Sequence, residues 1–202
     1  MGGDAAERRR SAVLAGHRDD EAAARALLDD ADPTVRAAAL GALARMGTLA
    51  RPEVAAAFAD PDPEVRRRAC EVAAVAGHDE AVPRLRSLLD DADPSVVEVA
   101  AWALGELGPA AAVAVDDLAG VVAGHAEALC RESAVAALGA IGDRRGLAAI
   151  LGATTDRPAV RRRAVIALAP FSGPEVDAAL AAALGDRDWQ VRQAAEDLSG
   201  KH

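Results

Sequence analysis

The chain of 202 residues contains no tyrosine and no asparagine, two phenylalanines, two tryptophans, and one lysine, Lys201, against twenty-two arginines. With so few aromatics there are no bulky side chains to fill a wide interior, so any core must be thin and its walls must approach closely. Two cysteines, Cys70 and Cys130, are too few for a disulfide framework and fit a reducing compartment. No uninterrupted apolar stretch is long enough to span a bilayer, and no secretory pattern opens the chain, which leads to the expectation of a soluble, cytoplasmic protein without membrane contact. A net charge of −9 repels polyanions and weighs against nucleic acid as a partner. The patterns G-x-S-x-G, H-E-x-x-H and G-x-x-x-x-G-K-[ST] are missing, and with them the usual signals of a nucleophile elbow, a zinc helix and a phosphate loop.

What is present is repetition. "DDADPTVRAAALGALARMG" from Asp29 to Gly47 returns as "DDADPSVVEVAAWALGELG" from Asp90 to Gly108, with ten of nineteen positions unchanged. Aligned on the valine of "DPTVR", the frame recurs at Val35, Val65, Val96, Cys130, Val160 and Val191, a period of about 31 residues. Small or apolar residues fall 4, 7, 8 and 11 positions after each anchor, the stripe of one helix face, and glycine follows at position 12 in the first four copies. That glycine suits a left-handed helix C-terminus. Asp32, Asp62 and Asp93 each precede a proline and suit the N-cap, while Trp189 takes the place of the proline after Asp188. Shorter apolar-periodic segments lie between: Asp19 to Leu28, Pro52 to Ala59, Glu80 to Leu89, Pro109 to Val122, Arg144 to Leu151 and Pro174 to Leu184. Each copy is therefore expected to be a pair of helices.

The frame D-x-D-P-x-V-R-x-x-A-x-x-A-L-x-x-[LIM]-G, met by Asp30 to Gly47 and nearly by Asp60 to Gly77 and Asp91 to Gly108, resembles the HEAT repeats, most closely the short HEAT-like repeats of the phycobiliprotein-lyase type. The resemblance implies an all-α fold, a right-handed α-α superhelix of about six helix pairs plus an N-terminal capping helix, with second helices lining the concave side. The expected organisation is a single solenoid over 1–202: a cap at 4–16 and repeats at roughly 17–47, 48–77, 78–108, 109–142, 143–172 and 173–200. Departures are local. Val97 stands where the frame has arginine, Cys130 follows Val96 by 34 residues and lacks the Asp-Pro start, and Pro170 interrupts the fifth copy's second helix. A shift in the stack is expected near the fourth copy.

Some proteins of this resemblance hold iron through the pattern V-R-H-E-A-A. The nearest stretch here is Cys130-Arg131-Glu132-Ser133-Ala134, which keeps neither ligand. His17 and His78 lie two repeats apart, roughly 20 Å at ~10 Å per helix layer, too far to share one metal. No catalytic, cofactor or metal site is expected, and Cys130 reads as a small buried hydrophobe. The expected function is non-catalytic binding of a protein or peptide on the concave face.

At 100° per residue, positions 2, 6 and 9 after the anchor point away from the core stripe. Position 6 gives Gly41, Glu71, Trp102, Ala136, Ile166 and Asp197. Trp102 is the candidate partner anchor and Ile166 a second apolar contact, with burial of Trp102 against its neighbour as the competing reading. Positions 2 and 3 add Arg67, Arg68, Glu98, Glu132, Arg162 and Arg163, a face of mixed sign suited to a specific protein or peptide. Trp189 is expected to pack locally, and Phe58 and Phe171 to fill between helices. The arginines directly after the anchor, Arg36, Arg66, Arg131, Arg161 and Arg192, are expected to pair with aspartates of neighbouring turns. Two alternatives stand beside the scaffold: an accessory subunit holding a cofactor-bearing protein or peptide for a partner enzyme, and nucleic-acid backbone binding through Arg67, Arg68, Arg162 and Arg163.

Overall fold

The computed structural model describes residues 4–200, and the chain divides within one helix into two compact units, 1–84 and 85–202. The first unit holds α1 (Ala5–His17), α2 (Glu21–Arg25), α3 (Pro33–Met46), α4 (Arg51–Ala57) and α5 (Pro63–Val75). Here α1 packs on α3 and α3 on α5, while the short α2 and α4 back onto α3 and α5. Its core is as thin as the composition implies: Ala15, Ala24, Ala42 and Leu43 form one cluster, closed by Leu28, Met46 and Leu49. Gly16, inside α1, lets that helix approach α3, since a Cβ there would meet that of Ala42 at 2.9 Å.

After α6 (Val82–Ser87), within which the division falls, the second unit holds α7 (Pro94–Glu106), α8 (Val115–Gly124), α9 (Ala128–Ile141), α10 (Leu147–Ala153), α11 (Pro158–Ala167), α12 (Pro174–Ala183) and α13 (Trp189–Ser199). The second helices α7, α9, α11 and α13 pack in a row, and α8, α10 and α12 cover one side of it. Among the described residues every regular element is helical, and the fold is an all-α helical-repeat solenoid. The longer fourth copy contains a 3-10 stretch, Gly108–Ala114, where the sequence pattern predicts α-helix. Pro170 leaves α11 at ten residues, against thirteen in α5 and α7.

The helix boundaries follow from side-chain chemistry. Asp32, Asp62, Asp93 and Asp188 each accept a hydrogen bond from the backbone N–H two residues on, at 2.9 Å. The four glycines expected in the left-handed region are there, with φ of 70° at Gly47, 65° at Gly77, 57° at Gly108 and 71° at Gly142.

Charge is disposed of by a recurring rung. At three anchors the arginine that follows turns its fork onto an aspartate in the turn between the two helices of the next pair: Arg36 Nε and Nη2 donate to Asp60 at 2.9 and 2.7 Å, Arg131 to Asp156 at 2.7 and 2.8 Å, and Arg161 to Asp186 at 2.9 and 2.8 Å. Arg8 of α1 makes the same contact with Asp30. The remaining nitrogen, Nη1, reaches back to the carbonyls of its own turn, Asp30 for Arg36, His125 for Arg131 and Asp156 for Arg161. Arg66 and Arg192 make the same backward bonds, to Asp60 and Asp186. A planar fork with five donors meets these acceptors in two directions, which a lysine ammonium does not, so these positions require arginine. The hydrogen bonds from Arg131 and Arg161 hold the Asp156 and Asp186 carboxyls below the usual aspartate range. Burial pushes Asp60 up, and the hydrogen bonds from Arg36 and the Asp62 N–H more than offset it.

The third copy lacks the rung, and both its halves are missing together. Val97 stands where the arginine belongs and is fully buried. His125 stands where the next aspartate belongs, and its Nδ1 accepts the Glu127 N–H at 3.1 Å, the local task that Asp30 performs for Asp32 elsewhere. No unpaired charge is left in either place.

Two outcomes follow from the rungs. Val97→Arg alone buries a guanidinium with no carboxylate ahead of it and is expected to cost about 3–5 kcal/mol in urea denaturation. Adding His125→Asp completes the rung and recovers most of that loss; a double variant as unstable as the single one refutes the reciprocal account. For acid, the folded aspartates titrate below their unfolded value of about 3.9, so their contribution is complete above that pH and disappears as pH falls through the lower folded values. Stability is expected to hold from pH 7 to 5 and to drop below about 4, and Asp186→Asn, weaker at neutral pH, is expected to lose less on the same descent.

Candidate functional site

Glu98, Trp102 and Glu106 are spaced four residues apart on α7, so they form a single stripe along one helix face. The indole sits one turn from a carboxylate on either side. Facing it, α9 supplies Leu129, Glu132, Ser133, Ala136 and Ala140, and Arg163 reaches in from α11, enclosing a hollow of about 450 Å³. Its base is set by a close helix contact: a Cβ on Gly105 would stand 3.0 Å from the Ala137 Cα. The next pair does the same, with a Cβ on Gly139 falling 2.7 Å from that of Ala167. Position 9 after the anchor is thus the point of helix–helix approach in these copies, not a solvent-facing position as the 100° arithmetic indicates. The arithmetic treats each helix alone, and the neighbour comes in from the side.

Trp102 is 38% exposed and Leu129 61%. Burial of the indole against its neighbour, the competing expectation, is not what the structure shows. Among the described residues neither Glu98 nor Glu106 forms an ion pair, whereas Glu132 is shared by Arg163 at 3.5 Å and Arg162 at 3.9 Å. Arg162 and Arg163 each keep a buried Nε without an acceptor. The hollow is therefore aromatic and apolar at its centre and acidic on its α7 side. Glu106 is the last residue of α7, where the helix dipole disfavours negative charge and favours a cation.

A second hollow, about 410 Å³, lies between α11 and α13, lined by Arg162, Ile166, Trp189, Gln190, Gln193, Asp197 and Leu198. Ile166 is 43% exposed, as its position predicts. Trp189 is 64% exposed, which overturns the expectation that it packs locally. It starts α13 at the position where α3, α5, α7 and α11 begin with proline, and it lines the hollow between α11 and α13. Trp189, Gln193 and Asp197 repeat on α13 the spacing of Glu98, Trp102 and Glu106 on α7.

Of the residues singled out from sequence, Glu98, Trp102 and Arg163 meet in the first hollow, and Ile166 and Arg162 in the second. Arg67 belongs to neither. It lies in the first unit, bound to Glu71 at 2.6 Å and Glu64 at 3.1 Å, with Arg68 on the other oxygen of Glu71. Trp189, Leu129 and Glu106 were missed by inspection of position 6 alone. The spacing of four on either side of Trp102 was available to find Glu106.

Cys130 is buried, as expected, and its Sγ donates to the Pro94 carbonyl at 3.2 Å. Burial, with Glu98 and Glu127 nearby, pushes its thiol up to about 11, so it stays neutral at physiological pH. Phe58 is buried and Phe171 half-buried. Among the described residues no three His, Cys, Asp or Glu side chains are placed to hold a metal ion, and no helix is long and apolar enough to cross a membrane.

With only two tryptophans in the chain, each hollow carries its own reporter. Trp189 alone, in Trp102→Phe, is expected to emit further to the red and to be quenched more by acrylamide than Trp102 alone, in Trp189→Phe. The reverse order contradicts the exposures above.

None of the curated proteins matches the sequence. Among solved structures, an engineered protein matches with a TM-score of 0.64 at 21% identity, over 90% of this chain and 97% of that one. A designed armadillo repeat protein in complex with peptide (KR)4 matches with a TM-score of 0.61 at 16% identity, over 98% and 99%. Human deoxyhypusine hydroxylase in complex with glycerol matches with a TM-score of 0.51 at 22% identity, over 98% and 79%. At these identities the likeness is one of fold. The family model for HEAT repeats matches residues 52–131 and again 120–199, well over half of the sequence. With the helix pairs, the caps and the rungs already in place, the chain belongs to the HEAT repeats.

Proposed function

We propose that this protein is a non-catalytic scaffold or adaptor that holds a protein or peptide on the second-helix face of residues 85–202, with Trp102 as the anchor. The observation that carries this reading is a half-exposed indole in a hollow of about 450 Å³, bordered by two carboxylates that no side chain neutralises among the described residues. Large aromatics exposed inside a concave site are the residues that dominate binding energy at protein interfaces. A designed armadillo repeat protein of similar fold is in complex with peptide (KR)4, which supports a peptide as an occupant for stacked helices of this kind.

Nucleic-acid binding is disfavoured by the same geometry. Arg67 and Arg68 are tied to Glu64 and Glu71, and Arg162 and Arg163 face Glu132, so the clusters meant to meet phosphates are already partly neutralised. The role of an accessory subunit for a partner enzyme has the same binding surface and differs only in what the bound protein carries.

The test is selection from a random peptide library displayed on phage, using the intact protein and Trp102→Ala side by side, with thermal unfolding to confirm that the variant folds. Peptides enriched by the wild-type protein are expected to lose at least tenfold in affinity on Trp102→Ala. Equal binding by both proteins removes Trp102 as the anchor.

A further inference from the structure

The two hollows of residues 85–202 share one row of helices, and their chemistry differs in a way that specifies a ligand. The first is bounded by α7 and α9 and the second by α11 and α13, so their centres lie two helix layers apart, roughly 20 Å at ~10 Å per layer. An extended chain covers that distance in about six residues at ~3.3 Å each. At the first hollow a cation finds the Trp102 face, the Glu98 and Glu106 carboxylates one turn to either side, and the C-terminal end of α7, while Arg163 on the far wall is already paired with Glu132. Each of these favours positive charge by a separate mechanism: the ring quadrupole, direct ion pairing and the helix dipole. At the second hollow the exposed apolar groups are Trp189 and Ile166, with Leu198 half-buried beside them, flanked by glutamines, one acid, Asp197, and one cation, Arg162. That surface takes an apolar side chain.

Building on the proposed peptide-binding role, we propose that the occupant is an extended segment of a protein carrying an arginine or lysine and, about six positions away, a large apolar residue. The cation sits on Trp102 between Glu98 and Glu106, and the apolar side chain sits between Ile166 and Trp189. The sign of the whole molecule agrees, since a net charge of −9 draws a basic segment toward the surface. Glu106 gives the inference its sharpest physical footing. The same position of other copies holds Arg45, Val75 and Ala140, while here a carboxylate occupies a helix C-terminus that electrostatics disfavours and that an arriving cation would relieve.

The probe is a displayed peptide library with three randomised residues at each end of a Gly-Ser spacer of two, five, eight or eleven residues. It is selected on the full chain and on Glu98→Gln/Glu106→Gln. The expected result is enrichment of Arg or Lys at one end and of Leu, Ile, Phe or Trp at the other, with the shorter of the two middle spacers dominant. Chosen peptides should bind about tenfold more weakly to the double variant and lose affinity as salt is raised. The double variant should melt no lower than the wild type, because removing Glu106 relieves the dipole, so a loss of binding there is not a loss of folding. Peptides that need Trp102 but show acidic or neutral ends, or no preference for spacer length, overturn this inference while leaving the binding role in place. Peptides indifferent to Trp102→Ala, or no enrichment at all, overturn both.

Discussion

The interaction on which the rest depends is the arginine that serves two turns at once. Its Nη1 closes the turn before its own helix, and its Nε and Nη2 grip the aspartate in the corresponding turn of the next pair, as Arg36, Arg131 and Arg161 do within their units. A core of alanine, valine and leucine gives little burial per residue, so consecutive helices must lie close, and their turns, rich in aspartate, are brought together. Without a cation between them those turns would repel. The rung converts the repulsion into a register mark, because the fork reaches its carboxylate only if each pair is stacked at the right height. Buried rungs of this kind add specificity of arrangement more than net stability, since desolvating both partners offsets much of their attraction.

Much of this was legible from residues alone. The anchors, the aspartate caps, the left-handed glycines and the arginine pairing all reside in a short local frame, and local frames are what a sequence states directly. The fifth copy shows how far tolerance extends: Thr155-Asp156-Arg157 moves the acceptor by one residue, and Asp156 still meets Arg131 while the side-chain cap on α11 is given up. What was not legible depends on neighbours. Position 9 looks outward on an isolated helix, yet Gly105 and Gly139 are where the next helix touches. Trp189 occupies a proline position, and whether a side chain there folds inward depends on the end of the row, which carries no mark in the local frame.

The candidate site and the missing rung belong to the same helix, and the coincidence has a physical reason. In the second and fifth copies the three residues after the anchor are Arg66-Arg67-Arg68 and Arg161-Arg162-Arg163, and the acids within their reach, Glu71 and Glu132, are drawn into ion pairs. In the third copy the same three positions read Val97-Glu98-Val99. The loss of the rung arginine goes with the change at His125, and it also leaves α7 with no cation of its own beside its acids. Glu98 and Glu106 therefore stay charged and unclaimed on either side of an exposed indole. A repeat that departs from its frame loses an element of register, and the lost charges are what elsewhere would have silenced the surface. The site is best understood as a place where the stack stops neutralising itself, in contrast to the second and fifth copies, whose arginines claim the acids within their reach.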